Sequence, residues 1–371
     1  MKKIVFFSLA SILLSCASPQ EEQQPIMVQY LEADARSLLH TEIFSKVELV
    51  FLHGESAPII TPRANLIVQN GIYYFHDPNH SKVCLFDQNG RYLNSVGEKG
   101  RGSGEYLDFT DWTLEENGDI SIYNGFGGLY TYTPQGQFIR LTEYPYKSPH
   151  FTKFANQQYH YFGHGFNRSF QLYITDGQME AVDSCFTAYP IMPFFSSAPR
   201  FTQHGGSLYF CPPFGSEIYR FTARDHRPQL AYDFDFNTFA LPDNFFKQEG
   251  VRASAEFLSD KTIALKEAFF EGKHHAVLVA RILNIMTAKP NRTLYGILDK
   301  KDQQWHWFYM KEGDYMNFLH VKYLDDTALY LVAEPALLKE AGLAQRFIEL
   351  DKLSDDDNMV ILKCIIDKGR L

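Results

Sequence analysis

Short polar turns followed by runs of alternating apolar residues recur along most of the chain. They are NGIYYFHD at 70–77, NGDISIYN at 117–124, NQQYHYFG at 156–163 and GGSLYFCP at 205–212, with looser matches at DKTIALKE (260–267) and DTALYLVA (326–333). An alternation of period two sends one side of a strand to a core and the other to a polar surface. Each run therefore predicts a turn leading into a half-buried strand. A second signal follows the first three: FDQNGRYL at 86–93, YTPQGQFI at 132–139 and ITDGQMEA at 174–181. These read as hairpins with glycine where a positive φ is needed. FTARDHRPQL (221–230) and LDKKDQQWHW (298–307) fill the same slot less regularly. Gly90 and Gly136 are 46 residues apart, Gly136 and Gly177 are 41 apart. Two hairpins in about 40–50 residues make one four-stranded propeller blade. Six such units fill the chain, which predicts an all-β, six-bladed β-propeller of four-stranded antiparallel blades. A seven-bladed ring and a two-domain β-sandwich are the alternatives.

A single blade cannot cover both of its faces, so the units must close into a ring, the first against the last. KVELVFL at 46–52 precedes the first unit and is expected to complete the last blade beside NMVILKCII at 358–366. The alternative is a free N-terminal hairpin with PIITP. One or two short helical insertions are expected in the C-terminal third. EPALLKEAG (334–342) places Pro at a helix start and Gly just past its end. KHHAVLVARILNIM (273–286) suits a helix or a long strand equally well.

The N-terminus gives an address. MKK is followed by the apolar run IVFFSLASILLS, long enough for a signal-peptide core and short for a membrane span. LLSC at 13–16 has the form of a bacterial lipoprotein signal, with Cys16 as the lipid-modified N-terminus after cleavage; an ordinary secretory signal is the alternative. Residues 1–15 are thus read as a signal peptide, 16–40 as a lipidated flexible tether beginning ASPQEEQQP, and 41–371 as the propeller. Ala17 is not the aspartate that retains lipoproteins at the inner membrane, and Glu21-Glu22 resembles the surface-export signal of Bacteroidetes lipoproteins. The expected partner is therefore the outer membrane, through a lipid anchor, with display at the cell surface and the periplasmic face as the alternative.

Charge and cysteine content narrow the partners further. The formal net charge is −9, and two units more negative without Lys2 and Lys3. With no basic run to neutralise phosphates, the chain is a poor match for nucleic acid. Aromatic residues make up 15% of it, a bias toward sheet. Cys84, Cys185, Cys211 and Cys364 remain beside Cys16; Cys84 and Cys364 sit in apolar runs and read as buried thiols, although an exported chain allows three disulfide pairings.

VGEKGRGSGEY at 96–106 looks most like chemistry. A phosphate-binding loop needs Gly-Lys followed by Ser or Thr and a helix, but Gly100 follows Lys99 and the next residues read as strand. The spacing of Gly100, Gly102 and Gly104 also departs from a dinucleotide fingerprint. The stretch is read as scaffold, a crossover from an outer strand to the next inner one. Together with NGDISIYN and YTPQGQFIRL it resembles the six-bladed propeller lipoproteins of Bacteroidetes, which are similar to NHL-repeat propellers. Their first crossover commonly reads G-x-x-G-x-G-P-G-E-Y. Gly97, Gly100, Gly102, Gly104, Glu105 and Tyr106 match it, and Ser103 replaces the usual proline. The ending LSDDDNMVILKCI also resembles the family's last strand, with Met359 where proline is usual. The resemblance implies fold and location, and carries no catalytic set.

No motif specifies a metal or cofactor, and none is expected. His160 and His164 are four apart on what reads as strand and turn; His274-His275 open a polar loop and read as solvated. LSDDDN lacks the spaced ligands of a calcium loop. Aligning the six units places Arg63, Asp111, His150, Arg200, Glu256 and Asn317 near the starts of the inner strands. There they would form a mixed-charge ring at the channel mouth, the default place for a small polar ligand. The leading function is a surface-displayed binding or interaction module for a protein or glycan, with exposed Trp112, Trp305 or Trp307 favouring it. The alternative is an extracytoplasmic polysaccharide hydrolase or lyase at the mouth, since a fold alone does not establish function.

Overall fold

The structure, a computed structural model, describes residues 26–29 and 43–366, apart from 126–127, 144–145, 163–168, 189–198, 243, 246–250, 285, 288–291, 311–319, 341–346 and 355. Two strands, β1 (Ile26–Gln29) and β2 (Phe44–Phe51), precede the blades. Blade one is β3 (Asn65–Gln69), β4 (Ile72–Asp77), β5 (Lys82–Asp87) and β6 (Tyr92–Val96). Blade two is β7 (Asp111–Leu114), β8 (Ile120–Asn124), β9 (Gly128–Tyr132) and β10 (Phe138–Glu143). Blade three is β11 (His150–Phe154), β12 (Gln157–Tyr161), β13 (Phe170–Thr175) and β14 (Ala181–Thr187). Blade four is β15 (Phe201–His204), β16 (Ser207–Phe210), β17 (Glu217–Thr222) and β18 (Asp225–Asp235). A helix α1 (Val251–Leu258) precedes blade five, made of β19 (Thr262–Glu271), β20 (His275–Asn284), β21 (Arg292–Asp299) and β22 (Gln304–Met310). Blade six is β23 (His320–Leu324), β24 (Leu329–Ala333) and, after α2 (Pro335–Glu340), β25 (Val360–Ile366), with β2 as its outer strand. The first strands of neighbouring blades approach one another, β7 with β11, β15 with β19 and β23 with β3, so they line the axis.

The ring closes as the apolar pattern requires. β2 pairs antiparallel with β25, Val47 opposite Cys364 and Phe51 opposite Val360, so the last blade takes its fourth strand from the start of the chain. Every seam between blades then has an apolar core. Leu85, Trp112 and Ile122 fill the seam of blades one and two; Tyr159, Phe210 and Phe221 fill that of three and four. Leu278 and Phe234 meet between four and five, Val279 and Leu331 between five and six, Phe75 and Ile361 between six and one. Between blades two and three, Tyr123, Leu129 and Phe151 form the smallest cluster among the described residues. Burying each such side chain fully stabilises by about 1.5–3 kcal/mol relative to exposure. Cys84, Cys185, Cys211 and Cys364 are all buried, and none is in a disulfide.

Two readings of the sequence change, and one left open is decided. Within the segment read as flexible tether, Ile26–Gln29 is a strand: β1 adds in parallel to β18 at the outer edge of blade four. Val28 is the physical reason, buried beside Phe234 and Trp307. DKTIALKE lies on the inner strand of blade five, whereas the first four matches lie on second strands. The repeat is thus out of step there, because α1 is inserted ahead of a blade whose first two strands are ten residues long. KHHAVLVARILNIM resolves into β20, its residues buried by sheets on both sides, while EPALLKEAG gives α2 from Pro335.

Candidate functional site

The mouth face is the one on which the inner strands begin. Asp111 and His150 open β7 and β11 and are brought together there, His150 Nδ1 lying 3.7 Å from Asp111 Oδ2. Asp111 is engaged by backbone on both oxygens: Trp112 N–H donates to Oδ1 and Phe151 N–H to Oδ2, each at 2.9 Å. It therefore stitches blade two to blade three. Arg200, one residue ahead of β15, is buried and donates through Nη1 to the carbonyls of Lys266 (3.1 Å) and Glu267 (3.4 Å), joining blade four to blade five. Arg63 is exposed in the turn before β3. Glu256 lies on α1, six residues ahead of β19 and not on the inner strand itself, exposed and paired with Arg252 at 2.8 Å. Asn317, Cys16 and His164 lie outside the described residues. Of the five that are described, Asp111 and His150 are the two between which a contact is seen.

Other polar groups near the axis, missed in the sequence, do the same kind of work. Lys266 is completely buried on β19, and its ammonium donates to the carbonyls of Phe214 (3.3 Å) and Gly215 (2.5 Å). Lys322, on β23, donates to the Pro62 carbonyl at 2.7 Å across the closing seam. Burial brings both ammonium groups down to about 8. Asn358 accepts from Ile60 N–H and donates to the Pro58 carbonyl, both at 2.8 Å. His76 is buried, flat against the Phe109 ring at 3.8 Å, and desolvation lowers it to about 4. His320 falls to about 3 for the same reason, reinforced by Lys322 and Arg281. The available signal was a lysine interrupting an apolar strand, as in TIALKEAFF and HVKYL. A charge there must find a partner, and backbone carbonyls at blade junctions supply it.

The glycine-dense stretch is an Ω-shaped crossover between blades one and two. Tyr106 N–H donates to the Glu98 carbonyl and Gly100 N–H to the Tyr106 carbonyl, both at 3.0 Å. Glu105 folds back onto the loop, accepting Gly102 N–H at 2.7 Å, in space that side chains at Gly100 or Gly102 would occupy. Gly97 (φ 95°) and Gly104 (φ 78°) take the left-handed conformations. The Tyr106 ring is fully buried, with its hydroxyl donating to the Ser81 carbonyl at 2.5 Å. Glu98 pairs with Lys82 of blade one and the Gly104 carbonyl accepts the Tyr132 hydroxyl of blade two, both at 2.6 Å, so the loop is tied to both blades.

The three tryptophans do not form an exposed aromatic rim. Trp112 and Trp307 are buried in blade seams and Trp305 is half-buried against Tyr232 and Phe234. His160 is buried and stacked on Tyr146 at 4.9 Å. Among the described residues no group of three His, Cys, Asp or Glu is placed to hold a metal ion. Apolar residues are exposed elsewhere, along the outer edge of blades one and two. On β10, Phe138, Ile139 and Leu141 are 38%, 43% and 46% exposed, flanked by exposed Leu93 and Leu107. Phe138 rests against Gly104, and Asn94 donates to the Pro134 carbonyl at 3.0 Å, so these positions border one seam.

The chain belongs to the family described as a domain of unknown function, DUF4934, whose pattern spans residues 27–364. No curated protein sequence matches it. In fold it is similar to a Bacteroides fragilis protein described as exported, with a TM-score of 0.73 and 15% identity over 93% of this chain and 100% of that one. It is also similar to a DUF4221 family member from Bacteroides vulgatus, with a TM-score of 0.53 and 12% identity over 87% of this chain and 96% of that one. No helix among the described residues is long and apolar enough to cross a membrane.

Proposed function

We propose that this protein is an exported, lipid-anchored interaction module of the outer membrane, and that it holds a protein partner along the rim of blades one and two. The signal-like start ending at Cys16 and the fold shared with a protein described as exported support the location. The observation that carries the binding surface is β10. It is the outer strand of its blade, pairs only with β9 among the described strands, and leaves Phe138, Ile139 and Leu141 in solvent. Proteins normally protect such an edge, and clustered exposed apolar residues on it mark a contact surface. Blade four supplies the geometric precedent, since β1 adds to the outer edge of β18 and buries Val28. An extended segment of a partner, with aliphatic side chains at alternate positions, would complete β10 in the same way.

The test is photo-crosslinking in cells from an unnatural residue at Ile139, with Arg63 at the mouth as the comparison position. A single discrete adduct from Ile139, lost in the I139K/L141K variant while the protein stays folded, is the expected result. Adducts from Arg63 alone would overturn the rim assignment. In parallel, Cys16→Ala should move the protein out of the membrane fraction; retention there would overturn the anchor.

A further inference from the structure

The two hairpin loops of blade five that join β19 to β20 and β21 to β22 carry a feature unrelated to that rim. On the face opposite the mouth, the β19–β20 and β21–β22 turns stand side by side, with His275 opposite Asp299 and Lys300 N–H donating to the His274 carbonyl at 3.0 Å. Between them lies a cavity of about 310 Å³ lined by Lys273, His274, His275, Asp299, Lys300 and Lys301. Three lysines and two histidines thus converge on one small space in a chain whose net charge is −9. His275 is buried, not solvated as its sequence context suggested.

The acidic groups around this space have partners, and one of them, Asp299, is itself part of the lining, set against three lysines. Asp299 Oδ1 accepts the Lys301 N–H at 2.8 Å. Asp326 Oδ1, from the neighbouring blade, accepts the Lys273 N–H at 3.0 Å and lies 3.7 Å from His204 Nε2. Glu271, behind the floor, is buried, pairs with the Lys300 ammonium and accepts the Tyr232 hydroxyl at 2.9 Å. Lys300 also donates to the Gly272 carbonyl at 2.6 Å. An ammonium has three donors, so among the described residues one remains after these two bonds. Lys273 and Lys301 are exposed, and neither has an ion pair among the described residues. The floor ammonium is therefore fixed in place by Glu271, while two lysines at the rim keep their charge for something else.

We propose that this pocket binds an oxyanion: the phosphate, sulfate or carboxylate group of a small polar ligand. Its volume equals on the order of ten water molecules at ~30 Å³ each, at the small end of ligand sites. That accommodates the anionic group and one attached sugar-sized ring. Lys300 would meet the anion at the floor, with Lys273 and Lys301 closing over it. The same chemistry is offered by a free anion, an acidic sugar or a lipid headgroup.

The experiment is calorimetric titration of the full chain, held in detergent at constant ionic strength. The probes are inorganic phosphate, inorganic sulfate and glucuronate, with chloride as reference and phosphatidylglycerol vesicles in a separate arm. The K273Q/K301Q variant removes two exposed charges without touching the Glu271 pair. K99Q/R101Q makes the same charge change at the glycine crossover. Saturable binding of at least one free anion is expected, weakened about tenfold or more in K273Q/K301Q and unchanged in K99Q/R101Q. Binding of vesicles alone, with the same dependence on Lys273 and Lys301, assigns the pocket to a headgroup. Wild-type protein that binds none of the probes, or a K273Q/K301Q variant that binds them as well as wild type, overturns the proposal.

Discussion

Gly97→Ala probes whether Tyr106 fixes the crossover between the first two blades. Gly97 has φ 95°, where an alanine costs about 1–2 kcal/mol in backbone strain alone. A Cβ there would also overlap the Tyr106 hydroxyl and lie 2.7 Å from Ile122 Cδ1. Ile122 is itself fully buried, and the hydroxyl is held by its bond to the Ser81 carbonyl and by a ring with no exposed surface. Displacing it gives up a buried hydrogen bond, a loss of about 1–3 kcal/mol. Gly97→Ala should therefore destabilise by about 3 kcal/mol, and Tyr106→Phe by about 1–2 kcal/mol.

The double variant separates this account from a general sensitivity of the loop. Without the hydroxyl the closest overlap is gone, although Ile122 Cδ1 at 2.7 Å remains, so G97A/Y106F should cost less than the two single changes added together, by about 1–2 kcal/mol. Guanidinium unfolding followed by tryptophan fluorescence suits the measurement, because Trp112 lies in the same apolar cluster as Tyr106. If the two changes add to within about 0.5 kcal/mol, the glycine and the tyrosine are independent and the reasoning fails.

Three further outcomes are expected. His76, held neutral to about pH 4 by burial, takes no proton in the folded state between that pH and about 6.5, where the unfolded chain does. Stability is therefore present above pH 6.5 and falls as the pH drops toward 4; His76→Phe should remove about 2–3 kcal/mol of that loss, seen in urea midpoints between pH 7.5 and 4.5, and an unchanged slope would contradict it. Lys300→Met strands the buried Glu271 carboxylate and should cost about 3–5 kcal/mol, most of it recovered in E271Q/K300M by thermal melting, whereas no recovery would mean the pair is not what matters. Val28→Asp places a charge in the Phe234–Trp307 core and should release β1, so that limited proteolysis cuts near residues 26–29 while the propeller stays intact; equal resistance to wild type would show that the strand does not depend on Val28.

Architecture was legible because a propeller repeats one local rule. In blades one to five the hairpin of third and fourth strands lies where its turn residues put it, from the Gly90 turn to the Lys300–Gln303 turn. The closing strand KVELVFL was legible because its pairing follows from the need to cover an edge. The reading slipped where something non-periodic intervened. α1 displaced the register of blade five, so Glu256 was aligned six residues ahead of Thr262, where the inner strand begins. β1 is only four residues long and draws its stability from the Val28 site on blades four and five, which no pattern within IMVQ could reveal. The mouth residues were harder still. Asp111 and His150 were placed at the correct strand starts, but whether a side chain turns into the channel or toward the next blade is decided by a neighbour some forty residues away.

That neighbour explains why the axis of this propeller looks like a ligand site in sequence. Inner strands of adjacent blades diverge toward the rim, so near the axis each blade presents backbone groups that its own sheet cannot pair. Buried N–H and carbonyl groups must be satisfied, and a polar side chain from the next blade can do it. Asp111 answers the N–H of Phe151, Arg200 the carbonyls of Lys266 and Glu267, and Lys322 the carbonyl of Pro62. The seam of blades two and three, with the smallest apolar cluster described, adds the Lys153–Glu115 pair at 2.5 Å and the Tyr123–Phe151 stack at 5.0 Å. Charged residues at inner-strand starts are thus as consistent with blade-to-blade pinning as with binding. What separates the two roles is where their hydrogen bonds end. At the mouth the bonds of Asp111 and Arg200 end on backbone, whereas the rim ammonium groups of the blade-five pocket, Lys273 and Lys301, have no acidic partner within ion-pair reach among the described residues.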